Sequence, residues 1–333
     1  MVGLVIGMVA VVVIMQVFAL SEGSKRTTTS GDDAQTNGAI ALTIIQRDLR
    51  QAGFGTGAFP ILGCNVALPA PATWTLSAMA PVTINHASIP AGDANTDTVT
   101  IVFGNGVDST EGDRVISQPI PGPTVYTVTT PTAFAVGDRV IALPPTTPSP
   151  CNLTMEAATN VTASPPNVTV ATGVAGVSNG TLYNAGPSPR VLVYAVRGGA
   201  LTVCDYTQND CSLVANQNLS TVWVPIGDNI VSLRADYGQD TSAPMDAVVD
   251  SYDRTTPTTA CGWIRVSAIR IAVVARNAQV DKTTVTASAP TWAGAASAAF
   301  DLSSNTSWQN YRYRSFETTV PLRNISWQGK QSC

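Results

Sequence analysis

Charge and histidine are both scarce in this chain. Asp, Glu, Lys and Arg make up 12% of its 333 residues, against a usual figure of about 25%, and they leave a net charge of −4. A field of that sign and size draws neither nucleic acid nor an anionic membrane surface. Basic residues form no run longer than the pairs Lys25 with Arg26 and Arg312 with Arg314, so no nucleic-acid partner is expected. The single histidine, His86 in VTINHAS, stands apart from any Ser or Cys signature. HExxH and phosphate-loop patterns do not occur, and His86 lies far along the chain from the one GxSxG spacing, GVSNG at 176–180. We therefore expect an ordinary turn or strand histidine, no catalytic residues, no cofactor, and a chain that is not an enzyme.

CxxC pairs are missing too, which removes zinc ribbons and thioredoxin-type redox chemistry. The six cysteines, Cys64, Cys151, Cys204, Cys211, Cys261 and Cys333, are widely spaced. An even number in a low-charge, Thr-rich body suits an oxidising compartment such as the periplasm. Six cysteines allow 15 pairings. Cys204 with Cys211 is the best local pair, because LTVCDYTQNDCSLV reads as two strand ends around a polar turn; Cys261 with Cys333 would then tie down the C-terminus. Buried free thiols remain the alternative.

What the chain does have is one long apolar run. MVGLVIGMVAVVVIMQVFAL carries no charge over its first twenty residues, and a helix of that length covers about 30 Å, the hydrocarbon thickness of a bilayer. A cleaved signal peptide would need a basic n-region, a shorter apolar core and a small-x-small site, and none is evident. Lys25 and Arg26 follow the run, which by the positive-inside rule points the body to the cytoplasm. That conflict disappears if a short basic leader belongs before Met1.

A second helical pattern follows the polar stretch Ser21 to Ser30. Gly38, Leu42, Ile45, Leu49 and Ala52 recur at three- and four-residue spacings, an apolar helical face, and Gly53 and Gly55 end it. Residues 1 to 52 read as one long stalk with an interruption allowed near Gly23 and Gly31. Leu42, Ile45, Leu49 and Ala52 are its expected contacts with the head.

From Thr56 onward the period changes to short Val/Ile/Thr/Tyr runs between Gly, Pro, Asn and Asp, which is strand chemistry. Strands are expected at Val82–Asn85, Thr98–Phe103, Arg114–Ser117, Thr124–Thr129, Arg139–Leu143, Asn167–Ala171 and Arg190–Val196. Others are expected at Leu201–Tyr206, Thr221–Pro225, Ile230–Tyr237, Trp263–Arg276 and Tyr311–Val320. The Pro/Thr-rich stretch from Leu143 to Val168 reads as a surface excursion, and residues 288–305 as a second one. Beyond Tyr237, Asp240, Asp246, Asp250 and Asp253 form an acidic cluster. Oxygen-only clusters hold calcium, so Asp240, Asp246 and Asp250 are a candidate calcium set, although their spacing matches no EF-hand. Arg312, Arg314 and Arg323 are expected to pair with acids on a sheet surface; Trp263, Trp292, Trp308 and Trp327 are expected to anchor core or loops.

The opening MVGLVIGMVAVVV, the segment QRDLRQAGF, and the late segments WIRVSAIRIAVVAR and YRYRSFETTVPLRNISW together resemble PilW-type minor pilins of the type IV pilus machinery. LRADYGQDTSAPMDAVVDSY adds a weaker likeness, and residues 56 to 190 resemble nothing we can name. The family's precursors carry a basic leader ending in glycine, then a glutamate at the fifth mature position; here Met1 is expected to be internal, a few residues beyond that glutamate.

The resemblance implies an α+β, type IV pilin-like fold, with a long N-terminal helix packed on a large β-sheet-rich head. Its parts would be 1–20, transmembrane; 21–52, the amphipathic continuation; 53–190, the first part of the head; and 191–333, the rest. Val2, Leu4, Val5, Ile6, Val9, Val11, Val12, Val13 and Ile14 would face lipid first and neighbouring pilin helices later, with Gly3, Gly7 and Ala10 permitting close approach. Implied partners are inner-membrane lipid, the major pilin, other minor pilins and a large tip adhesin. The head would be periplasmic before assembly and at the pilus, near its tip, afterwards. A J-class pseudopilin of type II secretion, and a membrane-anchored periplasmic binding protein or enzyme, are the rival readings.

Overall fold

The computed structural model describes residues 2–106, 111–119, 124–295, 299–325 and 333. Helix α1 (Val2–Gln51) is continuous for 50 residues. Gly23 and Gly31 each weaken a helix by about 1 kcal/mol relative to Ala, yet neither interrupts it. Gly53 then takes a positive φ of 83° and turns the chain into the head.

Two sheets flank the head-side half of α1. After β1 (Asn65–Ala67) and β2 (Thr75–Leu76) come β3 (Val82–Ile84) and β4 (Val99–Phe103). The chain next builds β5 (Asp113–Ser117), β6 (Val125–Val128), β7 (Arg139–Leu143), β8 (Asn152–Ala163), β9 (Pro166–Val170) and β10 (Thr181–Gly186). It then returns as β11 (Arg190–Arg197), β12 (Ala200–Asp205), β13 (Val224–Asp228) and β14 (Ile230–Gln239). The last elements are β15 (Ser251–Asp253), α2 (Ala260–Ile264), β16 (Val266–Arg276) and β17 (Tyr313–Pro321). One sheet has the order β13-β12-β11-β4-β3 and the other β15-β14-β16-β17. Ile101, Tyr194 and Leu201 of the first, and Leu233, Ile271 and Val273 of the second, share one core with Ile45 and Leu49 of the helix.

Strands β4 and β11 are antiparallel neighbours, with Phe103 opposite Arg190, so everything from 104 to 189 is inserted at the end of that pair. The described part of the insert closes on itself. β8-β7-β10-β5-β6-β9 form a ring because β8 pairs with both β7 and β9, which makes a six-stranded barrel without open edges. Val115, Tyr126, Val140, Val168 and Leu182 fill it. Its outer wall, with Ile141, Leu153, Met155 and Tyr183, packs on Val102, Val191 and Val193 from the face of the five-stranded sheet turned away from the helix. At the neck Gly186 has φ 81°, and a Cβ there would lie 2.2 Å from the Gly106 nitrogen, closer than side chains tolerate.

Several expectations need correction. The stretch from Leu143 to Val168 is not a surface excursion: it holds β8, the longest barrel strand, whose Leu153, Met155 and Ala158 are buried. Its Thr-rich composition suits a half-buried strand, but the flanking prolines masked the alternation. β10 was missed because its run is buried almost throughout instead of alternating. Trp263–Arg276 does not begin as a strand. The Thr259 hydroxyl accepts from the Gly262 N–H at 3.0 Å, capping the short α2, and the strand starts at Val266. The strand expected at Thr221–Pro225 runs instead from Val224 to Asp228. Residues 288–305 do lie between β16 and β17, bridged only at Thr291 and Ala299 among the described residues.

All six cysteines are paired: Cys64 with Cys151, Cys204 with Cys211, and Cys261 with Cys333. The first ties the chain after α1 to the barrel, and the third pins Cys333 to α2. Their sequence separations are 87, 7 and 72. In the loop-closure picture, replacing both Cys64 and Cys151 by Ser costs about 4–5 kcal/mol and replacing Cys204 with Cys211 about 2. Urea unfolding of the two double variants checks the ranking; equal losses would contradict it.

Candidate assembly interface

Helix α1 leads two different lives along its length. On the head side, Ala34, Gly38, Ala41, Ile45, Asp48 and Ala52 are buried, a row repeating every three or four residues. It lies on β16, β17, β13 and β4. Of the four expected contacts, Ile45, Leu49 and Ala52 are fully buried, while Leu42 sits at the margin, partly covered. The true centre of the row is shifted toward Ala41 and Asp48. Small side chains set the approach distance: a Cβ on Gly38 would lie 2.2 Å from the Phe316 ring of β17.

Polar contacts lock the register of this seat. The Asn37 amide donates to the Asp228 carbonyl at 3.3 Å. At the other end, Asn324 donates to the carbonyls of Arg50 and Ala52 at 3.2 and 3.3 Å, satisfying groups the helix leaves open. Gly53 N–H donates to Val102 at 2.8 Å. Asp48, buried on the helix, accepts from the Tyr194 hydroxyl and from Arg47 Nε at 2.9 Å. Burial raises the Tyr194 pKa well above its ordinary value, and the adjoining Asp48 adds to the effect. A charged residue on an apolar face gives little sequence signal, and Asp48 was missed for that reason.

Among the described side chains of the far half, those from Gly3 to Phe18 are exposed. Ile6, Met8, Val9, Val11, Val12, Val13, Ile14, Met15, Val17 and Phe18 are exposed, Met8 to 70%. Nothing lies within 4 Å of where Cβ atoms on Gly3 and Gly7 would sit. The side chains of Val2, Leu4 and Val5 lie outside the described residues. Among the described residues no helix is long and apolar enough to cross a membrane; Ile6 to Phe18 spans roughly 20 Å at about 1.5 Å per residue.

The remaining candidates are structural. Asp240, Asp246 and Asp250 are not gathered into a metal-holding group: among the described residues no three His, Cys, Asp or Glu side chains are so placed. Asp240 instead accepts from the N–H groups of Ser242, Asp246 and Ala247 at 3.0, 2.8 and 2.7 Å, and Asp250 accepts from Thr241 at 2.7 Å. The Ser242 hydroxyl also donates to Asp240, at 2.5 Å, and together the bonds to Asp240 outweigh burial and hold its pKa below the ordinary value. Asp253 accepts from Thr255 N–H at 2.6 Å. Arg312 pairs with Asp281 at 3.3 Å. Trp263 lies in the main core, Trp292 stacks on Phe300, Trp308 packs beside them, and Trp327 lies outside the described residues.

Sequence reasoning also missed an ion cluster beside the four-stranded sheet. Asp97, nearly fully buried, accepts from Arg254 and lies 3.5 Å from Arg234 Nε. Its members are far apart in the chain, so no local spacing marks them.

His86 is buried. Its Nε2 lies 2.6 Å from the Ser77 carbonyl, and its Nδ1 accepts from Ser88 N–H at 3.2 Å. This network suits the neutral ring with the proton on Nε2, since protonating Nδ1 would set two N–H groups against each other. Burial accordingly lowers the His86 pKa below 6.5. The unfolded chain then binds the extra proton more readily, so this contribution is complete above pH 6.5 and is lost as pH falls through the lower folded value. The Tm of the full chain should drop between pH 7.5 and 5.5 by more than that of His86→Gln; parallel profiles would refute this. A second prediction concerns the seat. Gly38→Val should cost about 1–3 kcal/mol by overpacking against Phe316, read as a lower Tm together with faster protease cleavage near residue 38. An unchanged Tm would mean that the contact is dispensable.

Residues 195–324 match the family model described as PilW, type IV pilus-assembly protein W. The resemblance read from the sequence therefore holds over β12 to β17 and the end of β11, and across those residues the chain is related to type IV pilus-assembly proteins. No curated protein matches it in sequence. Among solved structures, a type IV-like pilin from Thermus thermophilus is similar at 11% identity and a TM-score of 0.32, covering 86% of this chain and 94% of that one. At that score the likeness carries no argument.

Proposed function

We propose that the chain is a structural minor pilin that acts in type IV pilus assembly, within a tip or priming complex of minor pilins. The observation that carries this reading is the two-sided use of one helix. Its head-side half is seated between two sheets, whereas from Ile6 to Phe18 it presents apolar side chains on every side. An all-round apolar surface is stable only in lipid or inside a helix bundle. Before assembly that half lies in the inner membrane with the head in the periplasm. During assembly it exchanges lipid for the helices of the major pilin and the other minor pilins.

The barrel favours an end position over repeated use along a shaft. A filament of like-oriented subunits is a head-to-tail assembly, in which one pole of each head meets the opposite pole of the next. The insert leaves the head beside Gly53 and Phe54, the pole away from the exposed helix half, where a following copy would stack. A large adhesin fits at the same pole.

Deleting the gene while leaving the major pilin intact should reduce surface pili at least tenfold, with restoration by the full chain. A Val12→Asp form should fail to restore them, because a carboxylate in the apolar half costs a few kcal/mol in either environment. Normal piliation in the deletion strain would overturn the priming role.

A further inference from the structure

A cleft of about 390 Å³ opens where the barrel meets the pilin sheet, within the roughly 300–1,000 Å³ typical of small-ligand sites. Three parts of the molecule wall it. Arg139 and Met155 come from the barrel, Arg190 from β11, and Thr207 and Gln208 from the turn after β12. The connection Pro187-Ser188-Pro189 and the β1–β2 loop at Pro69 and Ala70 close it. Proline fixes φ near −65°, so three prolines give the cleft a stiff rim. The Ser188 N–H is held by the Asn105 side chain at 2.8 Å, which fixes the connection in place.

Its electrostatics run against those of the chain. In a protein of net charge −4, two guanidinium groups line one concavity. Arg190 pairs with Asp205, and Asp205 is itself committed to the Thr207 N–H and hydroxyl at 3.0 and 2.6 Å. Arg139 has no ion pair or side-chain hydrogen bond among the described residues. One acid therefore faces two arginines, and a positive charge is left over. Arginine's planar fork matches a carboxylate in two-point fashion, and the Gln208 amide and Ser188 hydroxyl add neutral donors.

We propose that this cleft binds a carboxylate, with Arg139 as its principal contact and Arg190 as the second. The site does not depend on the pilin reading. A free small dicarboxylate and an acidic side chain on a peptide offer the same chemistry, and the test separates them. The full chain in mild detergent is titrated into fluorescein-labelled hexaglutamate, with hexaglutamine as the uncharged control. We expect a saturable rise in anisotropy with the former only. Arg139→Gln should weaken binding at least tenfold at unchanged Tm, whereas Arg114→Gln, on the barrel but away from the cleft, should leave it unaltered. Displacement by millimolar glutarate assigns the site to free dicarboxylates; resistance assigns it to peptide-borne acids. Equal binding by the Arg139→Gln form, equal loss in the Arg114→Gln form, or no saturable binding overturns the proposal.

Discussion

Everything in this molecule hangs on the seating of one helical segment, Ala34 to Ala52, between two sheets. Gly38 and Ala41 let Phe316 and the strands come close, and Ile45 and Leu49 then fill the space. Burial of each large aliphatic side chain contributes about 1.5–3 kcal/mol, so a few contacts suffice to hold a long lever. Because the seat is tight and short, the described side chains from Ile6 to Phe18 project without cover. The apolar side chains from Ile6 to Phe18 gain no burial from their own head.

The second organising feature is the insertion between β4 and β11. These strands pair as if joined by a turn, yet a closed barrel stands between them. Closure removes free edges that would otherwise invite unwanted strand pairing. The barrel is not a loose appendage, since its outer wall completes the core on the back of the five-stranded sheet and Cys64–Cys151 ties it to the chain after the helix. That mounting creates the arginine-lined junction between barrel and sheet.

Parts of this were legible in the residues. Strands such as Thr98–Phe103, Arg139–Leu143 and Ile230–Tyr237 announced themselves through β-branched runs bounded by turn residues, and the structure holds strands there. β8 and β10 did not. One was disguised by prolines on either side, the other by a buried run without alternation. In the interface, Ile45 and Leu49 followed from helical spacing, but Asp48 did not, because its partner Tyr194 lies 146 residues away.

By itself the sequence determined what is local: an uncharged apolar opening, a helix with one apolar face, strand-forming runs, and a body of low charge with one histidine. Periodicity and side-chain chemistry act over a few residues, and a linear reading recovers them. Only the tertiary structure decided that residues 104–189 close into a barrel, which cysteines meet, and that Arg139 and Arg190 share a cleft. Those outcomes depend on contacts between segments dozens of residues apart, whose energies exist only once the chain has folded back on itself.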